Sequence, residues 1–315
     1  MNKVKVGVIG VGSMGKNHVR SYASLKHVCE LVGIYDIDQD QSKEMAKSYG
    51  VESFNSINEL LNSVEAVNIA TPTTTHYDIA LQAIEAGKHI LIEKPITNKI
   101  DEANEILERA KKKKLIVQVG HIERFNPAIK ALPDMLREEN IIAIDVQRMG
   151  PYDPRIDDTD VIQDLMIHDI DVVSSLIDSE IVNVSAFARR VASEEHMDFA
   201  VANYQTDDDV IVTLTSSRAT NKKVRKMAIT TEKSFIELDY LNRKITRTRR
   251  GNGASNKNKQ REYEETYENE EEPLKMQLIH FVNSIENRTQ PLISGHDGLE
   301  ALKLTKLIQS KVYNN

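Results

Sequence analysis

The sequence predicts an α/β N-terminal domain with a doubly wound parallel sheet, followed by an α+β domain with an open, mainly antiparallel sheet. Over the first 120 residues, short β-branched segments alternate with helical patterns, which is typical of parallel strands joined by right-handed crossovers. After Gly120, strand-like segments follow one another without long helices between them, as in antiparallel sheets. We therefore expect one domain over residues 1–121 and a second over 122–315.

The first domain is expected to contain five strands and four helices. Turn residues bound each strand, and the apolar residues of the last helix share one face. The predicted strands are 4–9, 30–35, 65–70, 89–92 and 115–119, and the predicted helices are 13–27, 39–49, 75–86 and 101–113.

The second domain is expected to carry helices on one face of its sheet and to leave the other face open. The predicted helices are 126–139, 159–177, 274–287 and 297–313, and the predicted strands are 141–149, 181–191, 199–205, 210–216, 224–230 and 234–239. An open face favours association, so we expect a homodimer or homotetramer formed through the sheet. The candidate apolar contacts are Val201, Val210, Val212 and Leu214.

A charged segment, residues 243–272, interrupts this pattern. Its basic half and its acidic half flank Gly251-Asn252-Gly253. Opposite charges around a glycine turn fit a hairpin with cross-strand ion pairs, and a mobile charged loop fits the same composition. The sequence leaves both interpretations open.

Composition excludes several classes of protein. Hydrophobic residues make up 40% and charged residues 28% of the 315 residues, as in globular proteins. No apolar run approaches the ~18 residues of a membrane span, the N-terminus lacks the apolar block of a signal peptide, and the single cysteine, Cys29, excludes a multi-cysteine metal site. The net charge of −7 and the absence of tryptophan argue against nucleic-acid binding. We expect a cytoplasmic protein without a metal, nucleic-acid or membrane partner.

The run Gly10-Val11-Gly12-Ser13-Met14-Gly15 lies between the first strand and the first helix. Gly10 permits a tight turn, Gly12 lets the backbone approach a pyrophosphate, and Gly15 lets the helix pack closely on the strand. The N–H groups and positive dipole end of the helix would then face the phosphates. The pattern predicts a Rossmann domain that binds a dinucleotide.

Asp36, at the end of the second predicted strand, indicates which dinucleotide binds. An acid at this position accepts hydrogen bonds from the ribose hydroxyls of NAD and repels the 2′-phosphate of NADP. Ile37 and Asp38 follow it, so no basic residue there favours that phosphate. We expect NAD rather than NADP, although a solvated turn acid would give the same local sequence.

Lys94 follows the strand 89–92, within Glu93-Lys94-Pro95. In a doubly wound sheet the carboxyl ends of the strands border the cofactor cleft, and the proline restricts the residue before it. Thr71 and Pro72 end the neighbouring strand at the same edge. We expect this edge to flank the nicotinamide, although a lysine at a strand end is more often a solvated surface group.

The predicted helix 159–177 carries Asp164, His168 and Asp171. Their i, i+4, i+7 spacing places them on one face of an α-helix. Helix spacing alone favours a hydrogen-bonded structural histidine with a structural acid, and no third ligand supports a metal site.

Together these motifs resemble the glucose–fructose oxidoreductase/inositol dehydrogenase (Gfo/Idh/MocA) family of NAD(P)-dependent sugar and polyol dehydrogenases, over nearly the whole chain. The resemblance rests on the glycine turn, the Glu93-Lys94-Pro95 triplet, the run from Gly120 to Pro127 and the Asp164-x-x-x-His168 helix. Many members have glycine two residues after the acid, where this chain has Met166, which leaves the shape of the substrate side open.

The resemblance implies roles for individual residues. Lys94 contacts the reacting hydroxyl and the nicotinamide ribose, His168 is the acid/base, and Asp164 contacts the substrate. A histidine titrates near neutral pH and can accept the hydroxyl proton, while a lysine can stabilise developing alkoxide charge. The implied cofactor contacts are Gly10, Gly12, Ser13, Met14, Gly15, Asp36, Thr71, Pro72, His76, Glu93 and Lys94, and the implied substrate contacts are Arg124, Asn126, Arg148, Arg155, Asp164 and His168.

The substrate is expected to be a sugar or nucleotide sugar. The run from Arg148 to Arg155, with the Asp164–Asp171 helix, resembles the branch that oxidises UDP-N-acetylglucosamine at C3. Arginines could bind its diphosphate, although surface arginines would look the same. A free-sugar or inositol dehydrogenase is an alternative, and so is a non-catalytic regulator that senses NAD, which would not need Lys94 and His168 together.

Overall fold

The computed structural model describes residues 3–153, 159–249, 261–266 and 272–313. Two compact units divide the chain: residues 1–122 with 271–302, and residues 123–270 with 303–315. None of the described helices is both long enough and apolar enough to cross a membrane.

The first unit is built on a six-stranded, entirely parallel sheet in the order β3-β2-β1-β4-β5-β6. This confirms the predicted doubly wound sheet. Its strands are β1 (Val4–Ile9), β2 (Cys29–Tyr35), β3 (Glu52–Ser53), β4 (Ala66–Ile69), β5 (His89–Ile92) and β6 (Val117–Val119). Its first five helices are α1 (Ser13–Ser24), α2 (Gln39–Tyr49), α3 (Ile57–Ser63), α4 (His76–Glu85) and α5 (Ile100–Lys112).

Strand β3 and helix α3 were not predicted from the sequence. A strand of two residues shows no periodicity, and α3 spans seven residues. Two local features nevertheless specify α3: the Ser56 side chain accepts a hydrogen bond from the backbone N–H of Glu59, and Leu60 and Leu61 are buried.

Helix α8 (Pro273–Asn287) belongs to the first unit, whereas the sequence assigned everything after residue 121 to the second domain. Leu278, Phe281 and Val282 of α8 lie in the same hydrophobic core as the buried residues of β1. In addition, Gln118 of β6 donates a hydrogen bond to the carbonyl oxygen of Gln277 at 3.1 Å. The chain thus returns to the first sheet after completing the second, and local patterns do not report such a return.

The second unit contains an eight-stranded mixed sheet in the order β14-β13-β12-β11-β7-β10-β9-β8. The strands are β7 (Ile141–Met149), β8 (Ile181–Arg189), β9 (Phe199–Thr206), β10 (Ile211–Ser217), β11 (Val224–Thr231), β12 (Ser234–Asp239), β13 (Lys244–Arg249) and β14 (Arg261–Thr266). The other elements are α6 (Pro127–Leu136), a π-helical turn (Ile162–Met166) and α7 (Ile167–Ser174). The last helix, α9 (Gly295–Tyr313), begins in the first unit and ends in the second.

Strand β7 lies between β10 and β11, so these two consecutive strands do not pair with each other. The β7–β10 pair is parallel and the remaining pairs are antiparallel. The sheet is therefore mainly antiparallel, as predicted, with one exception at its centre.

One face of this sheet is buried. It carries three of the four residues that were predicted from the sequence to form the oligomer contact. Val212 and Leu214 are fully buried and Val210 nearly so, which makes that assignment wrong for all three. Because side chains alternate along a strand, the opposite face carries Val201, half-buried, and Phe187, which pairs with it across β8 and β9 and is 72% exposed.

Within the charged segment, β13 and β14 form an antiparallel hairpin. The structure thus favours the hairpin interpretation. The predicted glycine turn, residues 251–253, lies outside the described residues.

A buried ion pair joins the second sheet to its helix. Arg148 of β7 donates two hydrogen bonds to Asp169 of α7, each of 2.8 Å, and a third of 2.9 Å to Glu123. Burial alone would lower the pKa of the Arg148 guanidinium, but the Asp169 and Glu123 carboxylates raise it. The guanidinium also lies 5.5 Å from the centre of the Tyr240 ring, within cation–π range.

We expect Arg148→Met to lower the free energy of unfolding by about 3–5 kcal/mol, because it leaves the Asp169 carboxylate buried without its partner. Urea denaturation followed by circular dichroism measures this loss. Arg189→Met, on the exposed end of β8, is the matched control and should change stability by less than about 0.5 kcal/mol.

The double variant Arg148→Met/Asp169→Leu removes both charges and should be more stable than Arg148→Met. Equal losses for Arg148→Met and Arg189→Met would contradict a structural role of the pair.

Candidate functional site

The glycine turn between β1 and α1 is tightly packed. Gly10 has φ +87° and a Cβ there would lie 2.7 Å from the carbonyl oxygen of Ala70, while a Cβ on Gly15 would lie 1.9 Å from the carbonyl oxygen of Gly10. By contrast, a Cβ on Gly12 would have no heavy atom within 4 Å. Gly10 and Gly15 therefore bring α1 directly onto the end of β1, and Gly12 leaves open space above the turn.

The N-terminus of α1 fits a phosphate. Gly12 is the N-cap, no side chain caps the helix, and its first turn contains no acid. Ser13 and Met14 are exposed at the start of the helix. First-turn N–H groups without a side-chain cap are suited to an anion, so the residues present fit the pyrophosphate of a dinucleotide.

Asp36 lies at the carboxyl end of β2, beside this turn. Its Oδ2 accepts a hydrogen bond from the backbone N–H of Val11 at 2.6 Å, and its Oδ1 accepts one from that of Asp38 at 2.9 Å. The next residue, Ile37, is 91% exposed. The carboxylate is thereby fixed within the glycine turn.

Lys94, Thr71 and Pro72 lie at the carboxyl ends of the neighbouring strands β5 and β4, at the edge predicted from sequence. Lys94 and Thr71 are half-buried and Pro72 is exposed.

His76 lies beneath this edge, almost completely buried. Its ring nitrogens are 2.9 Å from the carbonyl oxygen of Pro95 and 3.0 Å from that of Thr71. Burial lowers the pKa of His76. His76 thus connects the loops that follow β4 and β5, and its predicted contact with the cofactor stays a prediction.

Glu93 is also buried, beside His18 of α1. His18 Nε2 donates to Glu93 Oε1 at 2.7 Å, and a Cβ on Gly120 would lie 2.8 Å from the same carboxylate. Burial raises the pKa of Glu93, but the hydrogen bond and charge of His18 hold it below its usual range. Glu93, the residue directly before Lys94, is therefore tied to α1, and its predicted contact with the cofactor stays a prediction.

Sequence reasoning missed His18. A signal was available, since His18 precedes Val19 on the face of α1 that also carries the buried Tyr22. A histidine on such a face needs a partner, but the sequence does not identify Glu93 as that partner.

In the second unit, Asp164 lies in the π-helical turn and His168 in the first turn of α7. Both are half-buried. The predicted single α-helix is thus a π-turn followed by an α-helix. Asp171 is 2% exposed and its carboxylate lies 3.2 Å from Arg124 Nε, so it is more buried than Asp164 and His168, with which it was predicted to share a face.

The predicted substrate contacts of the second domain have different environments. Arg148 is buried in its ion pair, and Asn126 is 7% exposed and caps α6 through a hydrogen bond from the backbone N–H of Ala128 at 3.1 Å. Arg124 pairs with Asp171. These contacts hold Arg148 and Asn126 within the second unit, and their predicted contacts with the substrate stay predictions. Arg155 lies outside the described residues.

Arg225 of β11 is an arginine that the sequence analysis did not single out. It is the register partner of Arg148 and is half-buried, and its Nη1 donates to the carbonyl oxygen of Met149 at 2.8 Å. Burial and the nearby Arg148 lower its pKa, whereas carboxylates including that of Asp164 raise it. A partly exposed guanidinium near Asp164 is suited to an anionic ligand group.

Among the described residues, no group of three or more histidine, cysteine, aspartate or glutamate side chains is arranged to hold a metal ion.

Known protein families match both units of the chain. Residues 4–121 match the oxidoreductase family with an NAD-binding Rossmann fold, and residues 144–237 match the GFO/IDH/MocA C-terminal domain. The resemblance inferred from the motifs is therefore confirmed.

Individual relatives extend this match. The chain is 35% identical to the UDP-N-acetylglucosamine 3-dehydrogenase of Acidithiobacillus ferrooxidans over 257 residues, which are 81% of this chain and 80% of that protein. A solved structure of that enzyme has a TM-score of 0.91 at 30% identity, covering 100% of this chain and 99% of its own. A levoglucosan dehydrogenase in complex with NADH and L-sorbose has a TM-score of 0.87 at 19% identity, covering 100% of this chain and 98% of its own, which shows a shared fold. The chain belongs to the Gfo/Idh/MocA family of oxidoreductases and contains its NAD(P)-binding Rossmann domain.

Proposed function

We propose that this protein is an NAD-dependent dehydrogenase that oxidises a secondary hydroxyl of a sugar nucleotide, at C3 of a UDP-N-acetylhexosamine. The observation that carries the proposal is the 35% identity to a UDP-N-acetylglucosamine 3-dehydrogenase across 81% of the chain. Lys94 and His168 are half-buried and so can reach a ligand. A regulator that only senses NAD would need neither residue.

For the cofactor, we assign the pyrophosphate to the first-turn N–H groups of α1 and the adenosine ribose to Asp36. When bound, the nicotinamide supplies the hydride acceptor. NAD is favoured because the Asp36 carboxylate is held at the turn by Val11 and Asp38 and would repel a 2′-phosphate.

For the chemistry, we assign proton removal from the hydroxyl to His168 and orientation of its oxygen to Lys94. An imidazole has a pKa close to the working pH, and an ammonium group stabilises the negative charge that develops on the oxygen. Asp164, four residues before His168, is assigned to a substrate hydroxyl.

A substrate panel tests the proposal. Purified protein is mixed with NAD and UDP-N-acetylglucosamine, UDP-N-acetylgalactosamine, free N-acetylglucosamine, glucose 6-phosphate or myo-inositol, and reduced nicotinamide is followed at its absorbance band. We expect kcat/KM to be highest for a UDP-N-acetylhexosamine. A preference for inositol or a free sugar would keep the dehydrogenase assignment and overturn the substrate, and no turnover of any substrate would overturn both.

Cofactor preference should depend on Asp36. Asp36→Ser/Ile37→Arg removes the acid and adds a partner for a 2′-phosphate, so we expect the ratio of kcat/KM for NAD to that for NADP to fall by about tenfold or more. Lys5→Arg, at an exposed position of β1, should leave the ratio unchanged. A wild-type enzyme that uses NADP as well as NAD would overturn the assignment.

Lys94→Ala and His168→Ala should each lower kcat by about two to four orders of magnitude, the range for loss of an acid/base or oxyanion contact. If the two residues act as a unit, the double variant should be little worse than the poorer single variant. His196→Ala, a half-buried histidine of the same unit, is the control.

The dissociation constant for NAD should be unchanged in His168→Ala, because this residue is assigned to the substrate. Near-normal turnover of His168→Ala, or loss of NAD binding by the folded variant, would return His168 to a structural role.

A homodimer or homotetramer through the outer face of the second sheet also remains a proposal. It is supported by the exposure of Phe187 beside Val201 on that face. We expect light scattering to show an oligomer that Phe187→Lys weakens. A monomer at all micromolar concentrations would exclude it.

A further inference from the structure

Asp160, two residues before the π-helical turn, is 5% exposed and holds the start of that turn. Its Oδ1 accepts hydrogen bonds from the backbone N–H groups of Ile162 at 3.0 Å and Gln163 at 2.8 Å. A side-chain oxygen in this position satisfies first-turn donors as an N-cap does. Asp164 follows four residues later, inside the turn, so the direction of the turn sets where its side chain points, and His168 follows in the first turn of α7.

The second oxygen of the same carboxylate faces the C-terminal end of α9. Asp160 Oδ2 accepts hydrogen bonds from Gln309 Nε2 at 2.8 Å and from the Tyr313 hydroxyl at 3.2 Å. One turn earlier, Lys306 Nζ donates to Gln163 Oε1 at 3.1 Å. We call Asp160, Gln309 and Tyr313 the C-terminal clasp. All three lie within the second unit.

In the clasp, Gln309 and Tyr313 are the donors and the Asp160 carboxylate is the acceptor. Burial and the neighbouring Asp160 carboxylate raise the pKa of Tyr313 to about 12, so the phenol keeps its proton at neutral pH and donates it. Asp160 thus receives donors on both oxygens, two from the turn and two from α9.

A π-turn needs such support. Single π-turns are rare and are often found at functional sites. Beyond the turn, α7 is held by the pairs Arg148–Asp169 and Arg124–Asp171. At the start of the π-turn, the backbone N–H of Val161 donates a hydrogen bond to the carbonyl oxygen of Met197. The clasp connects the same point to α9. A change at the clasp would therefore rotate the π-turn against a fixed α7.

We propose that Gln309 and Tyr313 are positioning residues, which act through Asp160 to orient Asp164 relative to His168 for catalysis. The inference rests on the proposed function of those two residues. It gives the C-terminal half of α9 a role in catalysis that acts through Asp160, since neither Gln309 nor Tyr313 is assigned to the substrate or the cofactor.

The kinetic test uses the full-length enzyme with UDP-N-acetylglucosamine and NAD. A misplacement of about 1 Å can cost on the order of 100-fold in rate, so we expect Gln309→Leu/Tyr313→Phe to lower kcat by about tenfold or more. The KM for NAD should change by less than about twofold. Leu307→Ala, at an exposed position of the same helix, is the matched control and should behave as wild type.

A donor–acceptor exchange separates positioning from general stability. Asp160→Asn keeps an oxygen for the turn but presents an amide N–H to Gln309, so kcat should fall. Asp160→Asn/Gln309→Glu provides an acceptor for that N–H and should restore kcat to within about threefold of wild type. Equal kcat for Asp160→Asn and the exchanged variant, or unchanged kcat in the folded Gln309→Leu/Tyr313→Phe variant, would overturn the proposal.

Hydrogen exchange gives a readout that needs no substrate. Peptides covering 161–170 should exchange faster in Gln309→Leu/Tyr313→Phe than in wild type, while peptides of α6 should not. Unchanged exchange over 161–170 would overturn the proposed positioning role of the clasp. This result does not depend on whether the enzyme turns over any substrate. Faster exchange together with an inactive wild-type enzyme would instead locate the failure in the proposed function.

Discussion

The buried ion pair between Arg148 and Asp169 is the constraint on which the second unit depends. It joins the central strand of the sheet to the residue next to His168, through two hydrogen bonds of 2.8 Å. A buried charge without its partner costs several kcal/mol, so the helix has one register in which both groups are satisfied. The position of His168 follows from that register.

In the first unit, different contacts fix the position of Lys94. The sheet edge of this unit is organised by close backbone approach and by buried polar contacts rather than by an ion pair with arginine. Gly15 lets α1 pack closely against the end of β1. His18 forms a hydrogen bond with Glu93, and the ring nitrogens of His76 contact two backbone carbonyl oxygens. Lys94 follows Glu93 directly, so α1 and the strand end that carries Lys94 are held together.

Much of the fold could be predicted because local patterns of apolar and turn residues determine the bounds of many elements. The bounds of β1, α2, β5, β7 and β12 agree with the sequence analysis. The four strands are short apolar or alternating runs, and α2 lies between its N-cap Asp38 and its C-cap Gly50. The parallel β7–β10 pair and the return of α8 to the first core could not be predicted, because both depend on contacts between segments far apart in the chain.

The candidate site shows the same division. The glycine turn, Asp36 and Lys94 were found from motifs at strand ends. The environments of Arg148, Glu93 and His76 were not, because a residue type does not show whether its partner is a ligand or a buried side chain. The clasp at Asp160 was missed for the same reason, since Gln309 lies almost 150 residues further along the chain.

We propose that the protein transfers a hydride from C3 of a UDP-N-acetylhexosamine to NAD. The most direct measurement uses UDP-N-acetylglucosamine labelled with deuterium at C3 and analyses the reduced cofactor by mass spectrometry. We expect one deuterium in the reduced nicotinamide and slower turnover than with unlabelled substrate. Reduced cofactor without deuterium, or no reduction of NAD by this substrate, would contradict the account.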